Sequence, residues 1–284
     1  MQVASERRSN RATAGRSEQT LSVSPPLRLA VSLTLCLILL LSACAATQPV
    51  VKIGLVAPFE GRYRLIGYEA VYAARLAIRE INAQGGVNGY RLELVALDDR
   101  GEIDRAVTAG RQLIADPQVV VVIGHYRPAA TEAALAEYCQ ARLPLIAMEI
   151  TDTPAPCDMP MLRVGQAAAA RWSDDAVTFV SNVPDPATLP AAADFVKNYN
   201  LIPLDGTHAG PIALQTYDMM YLTFKALERA HTVDRAGLAE ALQGTAYVGL
   251  GNKYAFDQTG SLIEGQTYVY SYNSNGQAFL TSGP

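Results

Sequence analysis

Charged, hydroxyl and aromatic side chains gather on three short segments, each following an apolar run: Phe59-Glu60-Gly61-Arg62-Tyr63-Arg64-Leu65-Ile66, Gly124-His125-Tyr126-Arg127-Pro128-Ala129-Ala130-Thr131 and Met148-Glu149-Ile150-Thr151. The guanidinium groups of Arg62, Arg64 and Arg127 suit a carboxylate, which they hold through paired N–H donors. The carboxyl of Glu149 suits an ammonium or another cation. With Tyr63, Tyr126, Ile150 and Thr151, these groups can hold a small charged molecule without breaking a bond in it; each charge also reads as a solvated loop residue, Arg62 and Arg64 more so than Arg127 and Glu149, which stand next to strand ends. Catalysis is not expected, because the chain has no Gly-x-Ser-x-Gly, no His-Glu-x-x-His, no Cys-x-x-Cys and no glycine-rich phosphate loop with its lysine. The three histidines, at 125, 208 and 231, are scattered, so neither a metal site nor a cofactor is expected. His125 follows an apolar run and reads as a local hydrogen-bonding residue.

The elements that carry these segments are legible as alternating strands and helices. Apolar runs predict strands over 51–57, 90–97, 119–123 and 144–148, and amphipathic spacing predicts helices over 66–83, 103–115 and 129–141. Strands such as Val119-Val120-Val121-Val122-Ile123 are apolar throughout, as in a parallel sheet covered on both faces. This is one doubly wound α/β lobe, and the three polar segments lie beyond the carboxyl ends of its strands, where such sheets bind ligands. The pattern breaks at 151–175, which is rich in Pro and Ala. It resumes with a strand at 176–180, helices at 189–198, 211–230 and 234–243, and a strand at 266–272. Tyr68 and Tyr72 read as packing residues on a helix flank, and Tyr217-Asp218 as part of a structural helix.

Helix 66–83 ends in Gly85-Gly86, and Gly89 turns the chain into the next strand. The whole run Ile81-Asn82-Ala83-Gln84-Gly85-Gly86-Val87-Asn88-Gly89-Tyr90-Arg91-Leu92-Glu93-Leu94-Val95-Ala96-Leu97-Asp98-Asp99, with Val51-Lys52-Ile53-Gly54-Leu55-Val56-Ala57-Pro58 before it, resembles the periplasmic branched-chain amino-acid (Leu/Ile/Val)-binding proteins. These are type I solute-binding lipoproteins of ABC transporters. The resemblance is strongest over 50–153 and returns loosely over 176–273. It implies a type I periplasmic-binding-protein fold and two lobes that close on an amino acid or amide, which is then handed to ABC permease subunits. It also implies that Thr151 meets the amino-acid head group through its N–H and hydroxyl. Pro128 stands where the family has a serine, so the helix N-terminus remains for a carboxylate while one hydroxyl donor is lost. Glu149 replaces a small residue and is expected either to take the ammonium or to favour a cationic ligand; Arg127, Arg62 and Arg64 would favour an anionic one.

Between Leu162-Arg163 and Ala176-Val177-Thr178-Phe179 only a short stretch remains where the family has several βα units, so a truncated second lobe is expected. The implied division is 44–153 with part of 200–250 as lobe one, and 154–200 with part of 250–284 as the crossover and shortened lobe two. The loss removes the family's second-lobe contacts, so a non-transporting extracytoplasmic sensor or scaffold with weak or no ligand binding stands as the alternative to an importer's receptor.

Residues 1–43 read as a lipoprotein signal peptide: Arg7, Arg8, Arg11, Arg16 and Arg28, then an apolar 29–41, then Leu41-Ser42-Ala43-Cys44. The expected product begins at a lipid-bearing Cys44 anchored outside the cytoplasmic membrane; an uncleaved N-terminal anchor is the other reading. Cys139 and Cys157 would then face a non-reducing compartment, which leaves open whether they are bonded or free. With a net charge of −4 and no basic run after the leader, nucleic acid is excluded as a partner.

Overall fold

The computed structural model describes residues 48–151, 153–165, 177–203, 205–263 and 265–284. The expected signal peptide over 1–43 and the expected lipid-bearing Cys44 lie outside the described residues. Strand β1 (Val50–Ala57) pairs in parallel with β2 (Arg91–Asp98) on one side and β3 (Val119–Ile123) on the other. Strands β4 (Leu145–Ala147) and β5 (Met161–Arg163) continue the sheet, giving the order β2-β1-β3-β4-β5. All of β3 is buried, as a central strand must be when both faces are covered. Helices α1 (Arg64–Ala83), α2 (Ile103–Ala115) and α3 (Pro128–Gln140) make the crossovers. One face of the sheet shares a core with α1 through Ile53, Leu55, Ile66 and Ala70, and the other shares one with α2 and α3 through Val56, Leu113, Val122 and Tyr138.

The junction after α1 forms as its residue types require. Asn82 donates to the carbonyl of Leu92 at 2.8 Å and accepts the N–H of Leu92 at 2.9 Å, so one side chain pins the helix end to the next strand. Gly85 and Gly86 both have positive φ, 103° and 79°, and the N–H groups of both close on α1 carbonyls. Gly86 has a second reason to lack a side chain: a Cβ there would sit 2.0 Å from the carbonyl oxygen of Tyr90.

The later part of the chain follows a different plan. Strand β6 (Thr178–Ser181) is followed by α4 (Ala193–Tyr199), the long α5 (Pro211–Arg229) and α6 (Arg235–Leu242). A hairpin of β7 (Ala246–Val248) and β8 (Lys253–Ala255) leads to β9 (Tyr268–Tyr272) and β10 (Ala278–Ser282). Strands β10, β9 and β6 form a three-stranded antiparallel sheet. Phe179 of β6 lies against the rings of Tyr270 and Tyr272, 5.6 and 5.0 Å away. The residues expected to make the smaller second lobe thus form an antiparallel sheet and helices whose side chains enter the same core as β1 and α1. Residues Gln48–Pro284 are one compact unit.

Cys139 and Cys157 are joined by a disulfide, with Cα atoms 5.9 Å apart, which closes the question the sequence leaves open. No helix among the described residues is long and apolar enough to cross a membrane.

Gly86→Ala should lower unfolding stability by about 2–4 kcal/mol, since positive φ and a backbone clash act together. Gly85→Ala, which meets nothing within 4 Å, should cost only about 1 kcal/mol from the positive φ. Urea midpoints of the two variants check the contrast. Replacing both Cys139 and Cys157 by Ser opens a loop with a sequence separation of 18. The loss expected from chain entropy is about 3 kcal/mol, read from the same midpoint.

Candidate functional site at the carboxyl edge of the parallel sheet

Beyond the strand ends, backbone turns are held by buried or half-buried carboxyls. After β1, the N–H of Phe59 donates to Asp98 Oδ1 at 2.7 Å, and the N–H of Arg100 donates to the same oxygen at 2.9 Å. After β2, Asp99 accepts the N–H of Gly101 with Oδ1 and contacts His125 Nδ1 with Oδ2 at 2.6 Å. His125 Nε2 in turn lies 3.0 Å from the hydroxyl of Tyr138. All three side chains of this Asp-His-Tyr chain are sealed from solvent. It ties the loops after β2 and β3 to α3, which bears out His125 as a local hydrogen-bonding residue, and reaches no surface where a substrate could meet it.

The candidate binding residues divide into a sealed set and a rim. Tyr126 is 1% exposed, and its hydroxyl pairs with Thr216 of α5 at 2.7 Å. Ile150 is fully buried, with its N–H on the carbonyl of Gly165. Glu149 is 2% exposed. Its Oε1 accepts the N–H of Val180 at 3.3 Å, and its Oε2 has no hydrogen-bond partner among the described residues. None of these three, expected beside a cleft, is open to solvent here: α5 meets Tyr126 and β6 meets Glu149, whereas Ile150 is buried in the core that the sheet shares with α2 and α3.

The rim is Arg127, Tyr63 and Thr151. The guanidinium of Arg127 lies 4.1 Å from the centre of the Tyr63 ring, a cation–π contact, and Gly101 sits beneath, where a Cβ would be 2.5 Å from Arg127 Cδ and 3.2 Å from Tyr63 Cδ2. The guanidinium carbon of Arg62 lies 5.9 Å from the centre of the same ring. Thr151 is exposed, and its hydroxyl meets Glu132 and Thr153. Arg127 also reaches Glu149 through its field, which draws the carboxyl's pKa down; burial is the larger effect, and the net result is a pKa pushed up to about 8. Thr131 secures the backbone of this loop by donating to the carbonyl of Glu149 at 2.6 Å.

A second buried carboxyl has no counterpart among the expected residues. Glu69 of α1 faces the core at 2% exposure. It accepts the N–H of Ala213 at 3.1 Å and the hydroxyl of Tyr272 at 2.9 Å, capping the first turn of α5. Burial raises its pKa to about 8 despite those hydrogen bonds, and the nearby Asp185 adds slightly in the same direction. The sequence does carry a signal for it, since Glu69 falls three residues after Ile66 on the apolar stripe of the helix. Among the described residues, no group of three or more His, Cys, Asp and Glu could hold a metal ion.

A parallel sheet of this order, with its polar loops at the carboxyl edge and a late helix returning to the first crossover helix, is the type I periplasmic-binding-protein fold. Residues 50–180 match the family model described as periplasmic binding protein. The chain is 33% identical over 118 residues to Leu/Ile/Val-binding protein homolog 7 of Brucella melitensis, covering 40% of this chain and 29% of that protein. It is 33% identical over 91 residues to an amino acid binding protein of Pseudomonas aeruginosa, covering 32% of this chain and 24% of that one. These matches therefore span about a quarter of the relatives' length. In structure it is similar to the branched-chain amino acid transporter substrate binding protein LivJ of Streptococcus pneumoniae, solved in complex with isoleucine: TM-score 0.62 at 16% identity, covering 83% of this chain and 100% of that one. The resemblance read from the sequence holds.

Two buried carboxyls raised to about 8 set a pH dependence. In the unfolded chain both ionise near their model value of 4.5. Their contribution to stability is therefore complete below that pH and is lost as pH rises through about 8. Urea midpoints measured from pH 4.5 to 8.5 should fall in the wild type, and the fall should shrink in Glu69→Gln and in Glu149→Gln.

Proposed function

We propose that this protein is the extracytoplasmic substrate-binding lipoprotein of an ABC importer, recognising a branched-chain amino acid or a related small amino acid or amide. The observation that carries the reading is the pairing, at the carboxyl edge of a type I sheet, of a Glu149 carboxyl oxygen that has no partner among the described residues with the cationic start of α3 at Arg127. A zwitterion needs both charges. In this reading the entering ammonium draws the raised Glu149 pKa back down and is held by the resulting carboxylate, while the N-terminus of α3 and the Thr151 N–H and hydroxyl take the ligand carboxylate. Tyr63 and Arg127 wall the entrance, and Tyr126 and Ile150 form its floor. Access requires β6 to part from the strand ends, breaking the contact between Val180 and Glu149, and the ligand then favours whichever arrangement gives it most contacts. We take 44–153 with part of 200–250 as the retained lobe, and 154–200 with part of 250–284 as the crossover and reduced second lobe. Cys44 would carry the lipid anchor, and permease subunits in the membrane would receive the ligand.

The covering of Tyr126, Glu149 and Ile150 favours a second reading, a sensor or scaffold descended from such receptors. Calorimetric titration with leucine, isoleucine, valine and their amides separates the two. The receptor reading expects saturable heat with at least one of them, a Kd raised at least tenfold in Glu149→Gln, and weaker binding in Thr151→Ala. Neither heat nor a thermal shift with any of them, in protein that unfolds cooperatively, overturns it in favour of the second.

A further inference from the structure

A second region binds nothing in the reading above and yet holds an unanswered charge. Edge strand β5 is flanked by the turn 257–261, where the N–H of Arg163 donates to the carbonyl of Gly260 at 2.7 Å and Arg163 forms a parallel bridge with Ser261. Gly260 has φ +77°, and a Cβ there would lie 1.8 Å from the carbonyl oxygen of Met161, so the turn is pressed against the strand. Beside it, between β5, the end of α6 and the disulfide-bound loop 154–160, lies a cavity of about 580 Å³. Small-molecule sites occupy roughly 300–1,000 Å³.

Arg163 lines this cavity. It is 9% exposed, its Nε has no hydrogen-bond partner, and its guanidinium forms no ion pair among the described residues. Asp257 is close enough for Arg163 to lower its pKa slightly, but its Oδ1 is taken by the N–H and hydroxyl of Thr259 and the N–H of Ser261. A nearly buried guanidinium without a counterion is costly, and an anion entering the cavity removes that cost. The walls restrict which anion. Met161, Leu242, Phe256 and Pro154 supply hydrocarbon, Arg163 is the only cationic residue lining the cavity among the described residues, and the carboxyls of Asp158 and Asp257 in its lining repel a second negative charge.

We propose that this cavity is a ligand site separate from the sheet's carboxyl edge, in which Arg163 binds the carboxylate of a small monocarboxylic acid whose hydrocarbon part lies against Met161, Leu242 and Phe256. The guanidinium supplies paired N–H donors to the carboxylate. The disulfide between Cys139 and Cys157 fixes the loop that forms one wall, so the site is preshaped.

The test is titration of the full-length protein with benzoate, with benzylamine as the probe of like shape and opposite charge. Benzoate should bind saturably and benzylamine should not. Arg163→Met should weaken benzoate at least tenfold while unfolding at the wild-type temperature or above, because no protein acceptor is lost. Ala155→Trp, which fills the cavity and leaves Arg163 in place, should abolish binding. The Arg163 Nε–H NMR resonance should move on benzoate addition in the wild type. Leucine should leave benzoate binding unchanged, whatever leucine itself does at the sheet edge. Failure of benzoate to bind at millimolar concentration, equal binding in Arg163→Met or Ala155→Trp, or displacement of benzoate by leucine overturns the proposal.

Discussion

Two carboxyl groups removed from water hold the later part of this protein on the earlier part. Glu69 reaches from α1 to the start of α5 and to β9, and Glu149 reaches from the end of β4 to β6. A buried polar group is tolerated when it is hydrogen-bonded, and for Glu69 the donors come from segments more than a hundred residues further along the chain. The docking of the antiparallel sheet and the satisfaction of these carboxyls are therefore one event. Gly210 shows how tight it is: a Cβ there would sit 2.5 Å from the Glu69 carboxyl oxygens.

That docking sets the terms for recognition. In a hinged two-lobed receptor the strand ends face a cleft; here β6 and α5 lie across them, and Tyr126 spends its hydroxyl on Thr216. What stays accessible is the rim of Arg127, Tyr63 and Thr151. The Asp99-His125-Tyr138 chain underneath keeps the loops after β2 and β3 in register with α3, so the rim stands on a rigid base. Glu149 joins the two levels, since its backbone is fixed by Thr131 while one of its carboxyl oxygens is left without a partner.

Much of the fold was legible because its signals are local. The α2 and β3 boundaries agree to the residue, and α1, α3, α5 and β9 agree to within two residues at each end, since apolar period and glycine placement act over a few positions. Strands β5, β7, β8 and β10 escaped reading: three are only three residues long, and β10 is mostly exposed, so neither length nor alternation marked them. For the site, residue types were legible and depth was not. Glu149 and Arg127 stand beside strand ends as expected, but Tyr126 is sealed by α5 and Ile150 by the core on the α2 and α3 side.

The sequence alone determined the strands, the crossover helices and the glycine stop after α1, because each rests on a pattern among near neighbours in the chain, and it showed the likeness to periplasmic binding proteins. It also supplied the cysteines, whose pairing needed the three-dimensional approach of α3 to the loop at 157. Only the tertiary structure decided which polar groups are sealed, that Glu69 and Glu149 bind distant backbone, and that Arg163 faces a cavity without a counterion among the described residues. The depth of a polar group depends on what packs over it from far along the chain, which an apolar stripe such as that around Glu69 signals only in part.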